Sequence, residues 1–83
     1  MLFRIKLSIY KVSTGALLIS NYHFMQSENP CDAQKDVILC HSFSKETDIE
    51  AHPVIGSIEY EATVDGYIYR TSETCVVSLK NAY

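Results

Sequence analysis

The sequence predicts an α+β domain in which one helix packs on one face of an antiparallel sheet of about five strands, in the chain order ββαβββ. Three observations lead to this fold class: alternating apolar and polar residues near both ends of the chain, two hairpin-turn signals, and one helix-start signal between them. The chain has 83 residues, of which 47% are hydrophobic and 20% charged, so we expect a single compact domain over 1–83.

The first hairpin is predicted from the alternation of apolar and polar side chains over residues 3–9, which is the period of a half-buried strand. Residues 13–15 (Ser-Thr-Gly) supply a turn whose glycine can adopt the left-handed conformation, and residues 16–25 read as the returning strand. This turn aligns Lys6 with Tyr22. It also places polar residues of the second strand beside apolar residues of the first, which indicates a bulge or a fraying end.

The strongest helix-start signal is Asn29-Pro30, with Asp32 in the first turn. It predicts a helix from Pro30 to about Ser44. The apolar run within 37–43 also suits a strand, and this alternative stays open. Three- and four-residue spacing predicts the face that packs on the sheet: Ala33, Val37, Cys40 and Ser44, flanked by Ile38 and His41.

The second hairpin is predicted from alternation over residues 54–64 followed by Asp65-Gly66, a preferred type I′ turn. A two-residue turn at this point aligns Glu61 with Arg70, a pair of opposite charge that suits the solvent-facing side of the sheet.

Three further segments complete the predicted order. Residues 45–53 show no clear period and carry three acids, so we expect a solvated crossing loop. A turn at Ser72-Glu73 leaves 74–79 as the last strand. Exposed edges at 1–9 or 74–79 would make an edge-paired homodimer possible.

The cysteines bear on compartment and chemistry. Three cysteines without a secretion signal indicate free thiols in a reducing cytoplasm. No zinc-knuckle spacing is present, so we expect no metal site and no cofactor. A small thiol enzyme is one alternative function: Cys31, whose pKa the helix dipole would lower, or Cys40 would act with a histidine.

The charge is uneven along the chain. The net charge is −3, yet residues 1–27 carry three basic residues and no acid, while residues 28–65 carry nine acids against two lysines, a sum of −7. Net acidity disfavours direct binding to nucleic acid or to an anionic membrane. The longest apolar stretches, such as Ala16 to Ile19, have four residues and are too short to span a bilayer.

The acidic centre and the tyrosines predict a surface that binds a host protein or nucleoprotein complex. Glu59 and Glu61 are two residues apart on one strand, so their carboxylates share a face. Carboxylates bind lysine and arginine side chains of a partner, and tyrosine is a favourable contact residue at interfaces. The candidate partner-binding residues are Glu59, Glu61, Glu46, Asp48, Glu50, Tyr10, Tyr22 and Arg70.

A basic and aromatic face predicts a second alternative, a small nucleic-acid-binding regulator. Arg4, Lys6, Tyr22 and Phe24 combine positive charge with rings on which bases could stack. Net acidity and the absence of a Lys-Gly-Phe run weigh against it.

Several segments together resemble the small phage-encoded anti-CRISPR inhibitors of ββαβββ type that act on type I systems. The resemblance is architectural and rests on residues 3–9, the turn at 13–15, the helix start Asp32-Ala-Gln-Lys35 and the hairpin from Gly56 to Tyr67. It implies a non-enzymatic protein in the host cytoplasm that binds a defence complex and blocks nucleic-acid access or activation. In that case Glu59, Glu61 and the loop 46–50 are the positions that could occupy a basic DNA-binding surface.

Overall fold

The computed structural model describes residues 1–42 and 48–77, which form a five-stranded antiparallel sheet and one helix packed against it. The predicted fold class and the order ββαβββ are confirmed. The elements are β1 (Leu2–Lys11), β2 (Leu17–Gln26), α1 (Pro30–Ser42), β3 (Glu50–Val54), β4 (Ser57–Val64) and β5 (Tyr67–Val76).

The strand order across the sheet is β2-β1-β5-β4-β3. The edges are therefore β2 and β3. The prediction that 1–9 forms an exposed edge is wrong, because β1 pairs with β2 on one side and with β5 on the other. Residues 74–76 pair with β1 only, since the pairing of β5 with β4 ends at Thr71, and residues 78–79 lie outside the described residues.

The first hairpin has the predicted turn and register. Gly15 has a φ of +70°, and Lys6 lies opposite Tyr22. The expected irregularity is present, but it lies near the turn: the register shifts between Ile9 and Tyr10, so that Tyr10 pairs with Leu17. The polar residues of β2 lie opposite apolar residues of β1, as predicted, and this pairing is tolerated because β2 is an edge strand that is open to water.

The helix begins as predicted. The backbone N–H of Asp32 donates to Asn29 Oδ1 at 2.8 Å, and Asn29 Nδ2 donates to the Asp32 carboxylate at 2.9 Å. The first bond satisfies a backbone N–H of the first turn that has no partner within the helix, and the second joins the two side chains. Residues 37–42 are helical, so the strand alternative is wrong there, and the predicted end at Ser44 lies outside the described residues.

The buried face of α1 differs from the prediction. Ala33, Gln34, Val37 and Ile38 are buried, whereas Cys40 is exposed. At 100° per residue, Cys40 lies about 90° from the centre of the stripe that faces the sheet. The core between α1 and the inner face of the sheet consists of Phe3, Ile5, Leu7, Ala33, Val37, Ile38, Tyr60 and Ala62.

The region predicted to be a solvated loop over 45–53 is partly a strand. β3 covers Glu50–Val54 and pairs with β4 across a turn in which Gly56 has a φ of +82°. All five β3 residues are exposed, so no buried face imposed a period of two on the sequence. Pro53 is tolerated because β3 is an edge strand.

The second hairpin is confirmed, but its return strand is longer than predicted. Asp65 and Gly66 have φ values of +51° and +83°, as a type I′ turn requires, and Glu61 pairs with Arg70. The predicted turn at Ser72-Glu73 is instead a bulge within β5, with Glu73 at a φ of +46°. Residues 74–76 continue β5, and the rest of the predicted strand 74–79 beyond Val77 lies outside the described residues.

The helix covers one face of the sheet, which we call the inner face. Within residues 1–42 and 48–77, no helix or strand packs on the opposite side, the outer face. No helix in this part of the chain is long and apolar enough to cross a membrane.

Candidate binding surface on the outer face of the sheet

Six of the eight predicted partner-binding residues lie on the outer face, and all of these except Tyr22 lie on the neighbouring strands β1, β5, β4 and β3. Glu50, Glu61 and Arg70 are directly opposite one another on β3, β4 and β5. Tyr10 joins them, since its ring centre is 5.7 Å from the Arg70 guanidinium carbon. The remaining two of the six are Glu59, two residues from Glu61 on β4, and Tyr22, on β2 beside Lys6.

Of the other two predicted residues, one borders this row and one lies outside the described residues. Glu46 is outside the described residues. Asp48 is exposed just before β3 and lines a shallow cleft of about 190 Å³ together with Glu50 and Glu61.

Glu61 is the most heavily contacted acid of the face. Its carboxylate accepts hydrogen bonds from Arg70 Nη2 at 2.8 Å and Nε at 3.3 Å, and His52 Nε2 lies 3.5 Å away. The Glu61 side chain is 18% exposed. Its hydrogen bonds raise the pKa of Arg70 above the ordinary value. Glu61 and Arg70 therefore fix each other, and neither charge is free for a partner in this state.

Glu50 and Glu59 are the available acids of this half. The Glu50 side chain is 76% exposed and lies 3.6 Å from His52 Nε2. Glu59 is half-buried and forms no ion pair with a described residue. These two carboxylates can accept hydrogen bonds from basic groups of another molecule.

The opposite half of the face, on β1 and β2, is basic and aromatic. The Arg4 guanidinium carbon is 4.8 Å from the centre of the Tyr22 ring, and Phe24, opposite Arg4, is 60% exposed. Lys6 Nζ lies 3.0 Å from Glu73 Oε2, and this hydrogen-bonded pair raises the pKa of Lys6. The four residues proposed for nucleic-acid contact thus share the outer face, but the charge of Lys6 is already paired.

The outer face is therefore divided by charge. Arg4 and Lys6 lie on β1, whereas Glu50, Glu59 and Glu61 lie on β3 and β4. The central strand β5 links the halves through Glu73, paired with Lys6, and Arg70, paired with Glu61. A partner that fits this face needs a basic region opposite β3 and β4 and an acidic or aromatic region opposite β1 and β2.

A cleft between β4 and β5 was missed by sequence reasoning. Pairing of the two strands ends at Tyr60 and Thr71, where Thr71 Oγ1 accepts the Tyr60 N–H at 3.2 Å in a side-chain bond. Beyond this point the strands separate and leave a cleft of about 440 Å³, whose floor includes Cys31 and Gln34 of α1. The sequence feature that marks this cleft is Ser72-Glu73, for which the sequence predicts a turn. In the structure these residues form the bend at which β5 leaves β4.

Polar groups are arranged around this cleft. Gln34 is buried; its Nε2 donates to Thr74 Oγ1 at 2.6 Å, and its Oε1 has no hydrogen-bond partner among the described residues. A hydrogen bond with the Cys31 side chain and burial raise the pKa of Tyr60. These contacts hold the first turns of α1 against the separated strands.

The geometry does not assemble the predicted thiol-histidine pair in the described part of the chain. Cys31 and His41 are ten positions apart on α1, a rise of about 15 Å. His23 lies against His41, with ring centres 4.3 Å apart, and His52 lies on the outer face. Cys40 is next to His41 in sequence, but adjacent helical side chains diverge by about 100°. In residues 1–42 and 48–77, no group of three or more His, Cys, Asp or Glu side chains has an arrangement that could hold a metal ion.

Comparison with protein-family models, with curated proteins and with solved structures found no match to this chain.

Proposed function

We propose that this chain is a non-enzymatic binding protein that acts stoichiometrically by docking its outer face on a larger protein or nucleoprotein complex. The observation that carries the proposal is the outer face, on which no described helix or strand packs and which presents Glu50, Glu59 and Tyr10 beside the Glu61–Arg70 pair. Tyr22 lies on the same face, on the edge strand β2. A rigid sheet presents such residues at fixed spacing, which reduces the entropy lost on binding.

The acidic half suits a partner surface that itself binds nucleic acid. Such surfaces are rich in lysine and arginine, and carboxylates on a rigid strand can occupy them in place of phosphates. Glu50 and Glu59 supply the carboxylates, Tyr10 supplies contact area next to Arg70, and Tyr22 supplies contact area on the other half of the face. Binding in this way blocks nucleic-acid access without a chemical step.

The resemblance to anti-CRISPR inhibitors supplies the finer proposal: a phage-encoded inhibitor of a CRISPR-Cas-type complex or another nucleic-acid-processing complex, acting in the host cytoplasm. Charge complementarity makes two features of this inhibitor testable. Its association is faster at low salt, and it competes with nucleic acid for the same surface of the target.

The experiment is affinity capture from lysates of bacteria that carry defence systems, at low and high salt, with proteins identified by mass spectrometry. Wild type is compared with Glu59→Lys on the outer face and with Asp36→Lys on the exposed side of α1, which introduces the same charge change on the other side of the molecule. We expect Glu59→Lys to lose the captured complex and Asp36→Lys to retain it. Equal capture by both folded variants would contradict docking through the acidic half.

A second candidate function is binding of single-stranded nucleic acid by the basic half. It is favoured by the stacked Arg4 and Tyr22 and by the exposed ring of Phe24 beside them. A gel shift with single- and double-stranded probes at low salt tests it. Phe24→Ala should weaken a gel shift that is caused by nucleic acid bound to the basic half. Ile55→Ala, which removes an exposed side chain in the β3–β4 turn, should leave the gel shift unchanged. We prefer protein docking because the net charge is −3 and Lys6 is paired with Glu73.

A further inference from the structure

We infer that β2 is a dimerisation strand, which pairs edge to edge and antiparallel with β2 of a second copy and so joins two sheets into one. This inference does not depend on the proposed function, since it rests on the unpaired backbone groups at the β2 edge and not on a partner docked on the outer face.

The backbone hydrogen bonds show which groups of β2 are unpaired. Met1 and Ser27 exchange two backbone bonds, of 3.0 and 2.9 Å. In an antiparallel ladder such pairs recur every second residue, so the odd-numbered residues 19–25 bond to β1. The N–H and C=O groups of Ser20, Tyr22 and Phe24 therefore point away from the sheet, and no described strand lies on that side.

The two edges of the sheet are protected very differently. β3 has five residues and carries Glu50, His52 and Pro53, which are features that prevent strand addition. β2 has ten residues and contains neither a charged residue nor a proline. Five of its large apolar side chains are 47% to 60% exposed: Leu17, Leu18, Ile19, Tyr22 and Phe24. A long, uncharged edge of this kind favours pairing with another strand.

A second copy fits this edge because β2 is complementary to itself. The outward-pointing groups allow an antiparallel register centred on Tyr22, in which Tyr22 lies opposite its own copy and Ser20 lies opposite Phe24. On the inner face this register places Ile19 opposite Met25 and Asn21 opposite His23, so apolar residues meet apolar ones and polar residues meet polar ones.

One electrostatic feature and one topological feature favour a dimer that does not extend to further copies. An uncharged strand meets its copy without repulsion between like charges. The protected β3 edge then lies at each end of the joined sheet, so pairing ends at two copies and does not continue as a filament.

The first test is sedimentation of the wild-type protein from micromolar to millimolar concentration, combined with amide hydrogen exchange. We expect a species of twice the 9.4 kDa chain mass. The amides of Ser20, Tyr22 and Phe24 should be protected in concentrated samples and should exchange on dilution, whereas that of His23, bonded to β1, should be protected throughout. A monomer at all concentrations, with those three amides exchanging freely, would overturn the inference. Their protection only on addition of a different protein would also overturn it, in favour of strand addition by a partner.

A variant at the proposed axis gives a second test. Tyr22→Glu places two carboxylates opposite each other in the dimer, while within one chain the new carboxylate lies opposite Lys6, which preserves the monomer. We expect the dimer dissociation constant to rise by roughly tenfold or more. Ile55→Glu, the same type of change at an exposed turn residue away from β2, should leave it unchanged. An unchanged dissociation constant in folded Tyr22→Glu would refute this register.

Discussion

The Glu61–Arg70 pair offers the most quantitative prediction. Glu61→Gln keeps the shape of the side chain but removes the charge that accepts two hydrogen bonds from Arg70, at 2.8 and 3.3 Å. Arg70 is 44% exposed, so solvent screens the pair, whereas Glu61 is only 18% exposed. Exposed ion pairs contribute about 0.2–1 kcal/mol to the free energy of unfolding. Because Arg70 donates two hydrogen bonds to Glu61, we expect this pair to lie near the upper end of that range. We expect a loss of about 1 kcal/mol in the free energy of unfolding.

The assay is a double-mutant cycle by urea denaturation with Glu61→Gln, Arg70→Gln and the double variant. A coupling of about 0.5–1 kcal/mol is expected, and it should shrink in high salt. A coupling indistinguishable from zero at low salt, or one that salt does not change, would refute this reasoning. The result also matters for the binding test, since Glu61→Lys would place a cation beside Arg70 and destabilise the fold, whereas Glu59→Lys breaks no ion pair formed by the described residues.

Three further predictions concern the local determinants of the fold. Asn29→Ala removes the acceptor for the Asp32 N–H and should cost about 1 kcal/mol in urea unfolding; an unchanged midpoint would mean that the cap contributes nothing. Gly66→Ala should cost about 1 kcal/mol through its φ of +83° alone, because a Cβ there meets no atom within 4 Å; a loss of several kcal/mol would reveal a clash. Burial and the neighbouring His41 lower the pKa of His23 below its ordinary 6.5, so the unfolded chain binds more protons and stability should fall as the pH drops through 6.5 towards the folded-state pKa. Thermal unfolding between pH 8 and 4 should show a smaller loss for His23→Gln than for wild type and no such reduction for His52→Gln; equal losses in all three proteins would contradict this assignment.

Local signals predicted most of the fold. The Asn29 cap, the Gly15 turn and the Asp65-Gly66 turn each depend on the backbone conformation of a few residues, and all three are present. The sequence does not predict β3, because both faces of this edge strand are exposed and it therefore has no hydrophobic period. Its Pro53 also favours a loop over a strand. The sequence predicts a turn at Ser72-Glu73, whereas the structure has a bulge there. Bulges and turns can both contain a residue in the left-handed conformation, as Glu73 is.

The candidate surface was predictable to the extent that it depends on strand period and hairpin register. Glu59 and Glu61 share a face by alternation, and the type I′ turn places Arg70 beside Glu61. The position of Glu50 required the pairing of β3, and the Lys6–Glu73 pair required the β5 bulge. Both depend on contacts between distant segments, which a sequence pattern does not encode.

Docking through the outer face is tested most directly by carboxylate footprinting of the wild-type protein, free and bound to a captured partner. Carbodiimide labelling with glycinamide reports on each carboxyl group by mass spectrometry. We predict that binding reduces labelling of Glu50 and Glu59 and leaves Asp36, on the exposed side of α1, as reactive as in the free protein. Loss of labelling at Asp36 with Glu50 and Glu59 unchanged would show that the partner binds the helix side and would contradict the account.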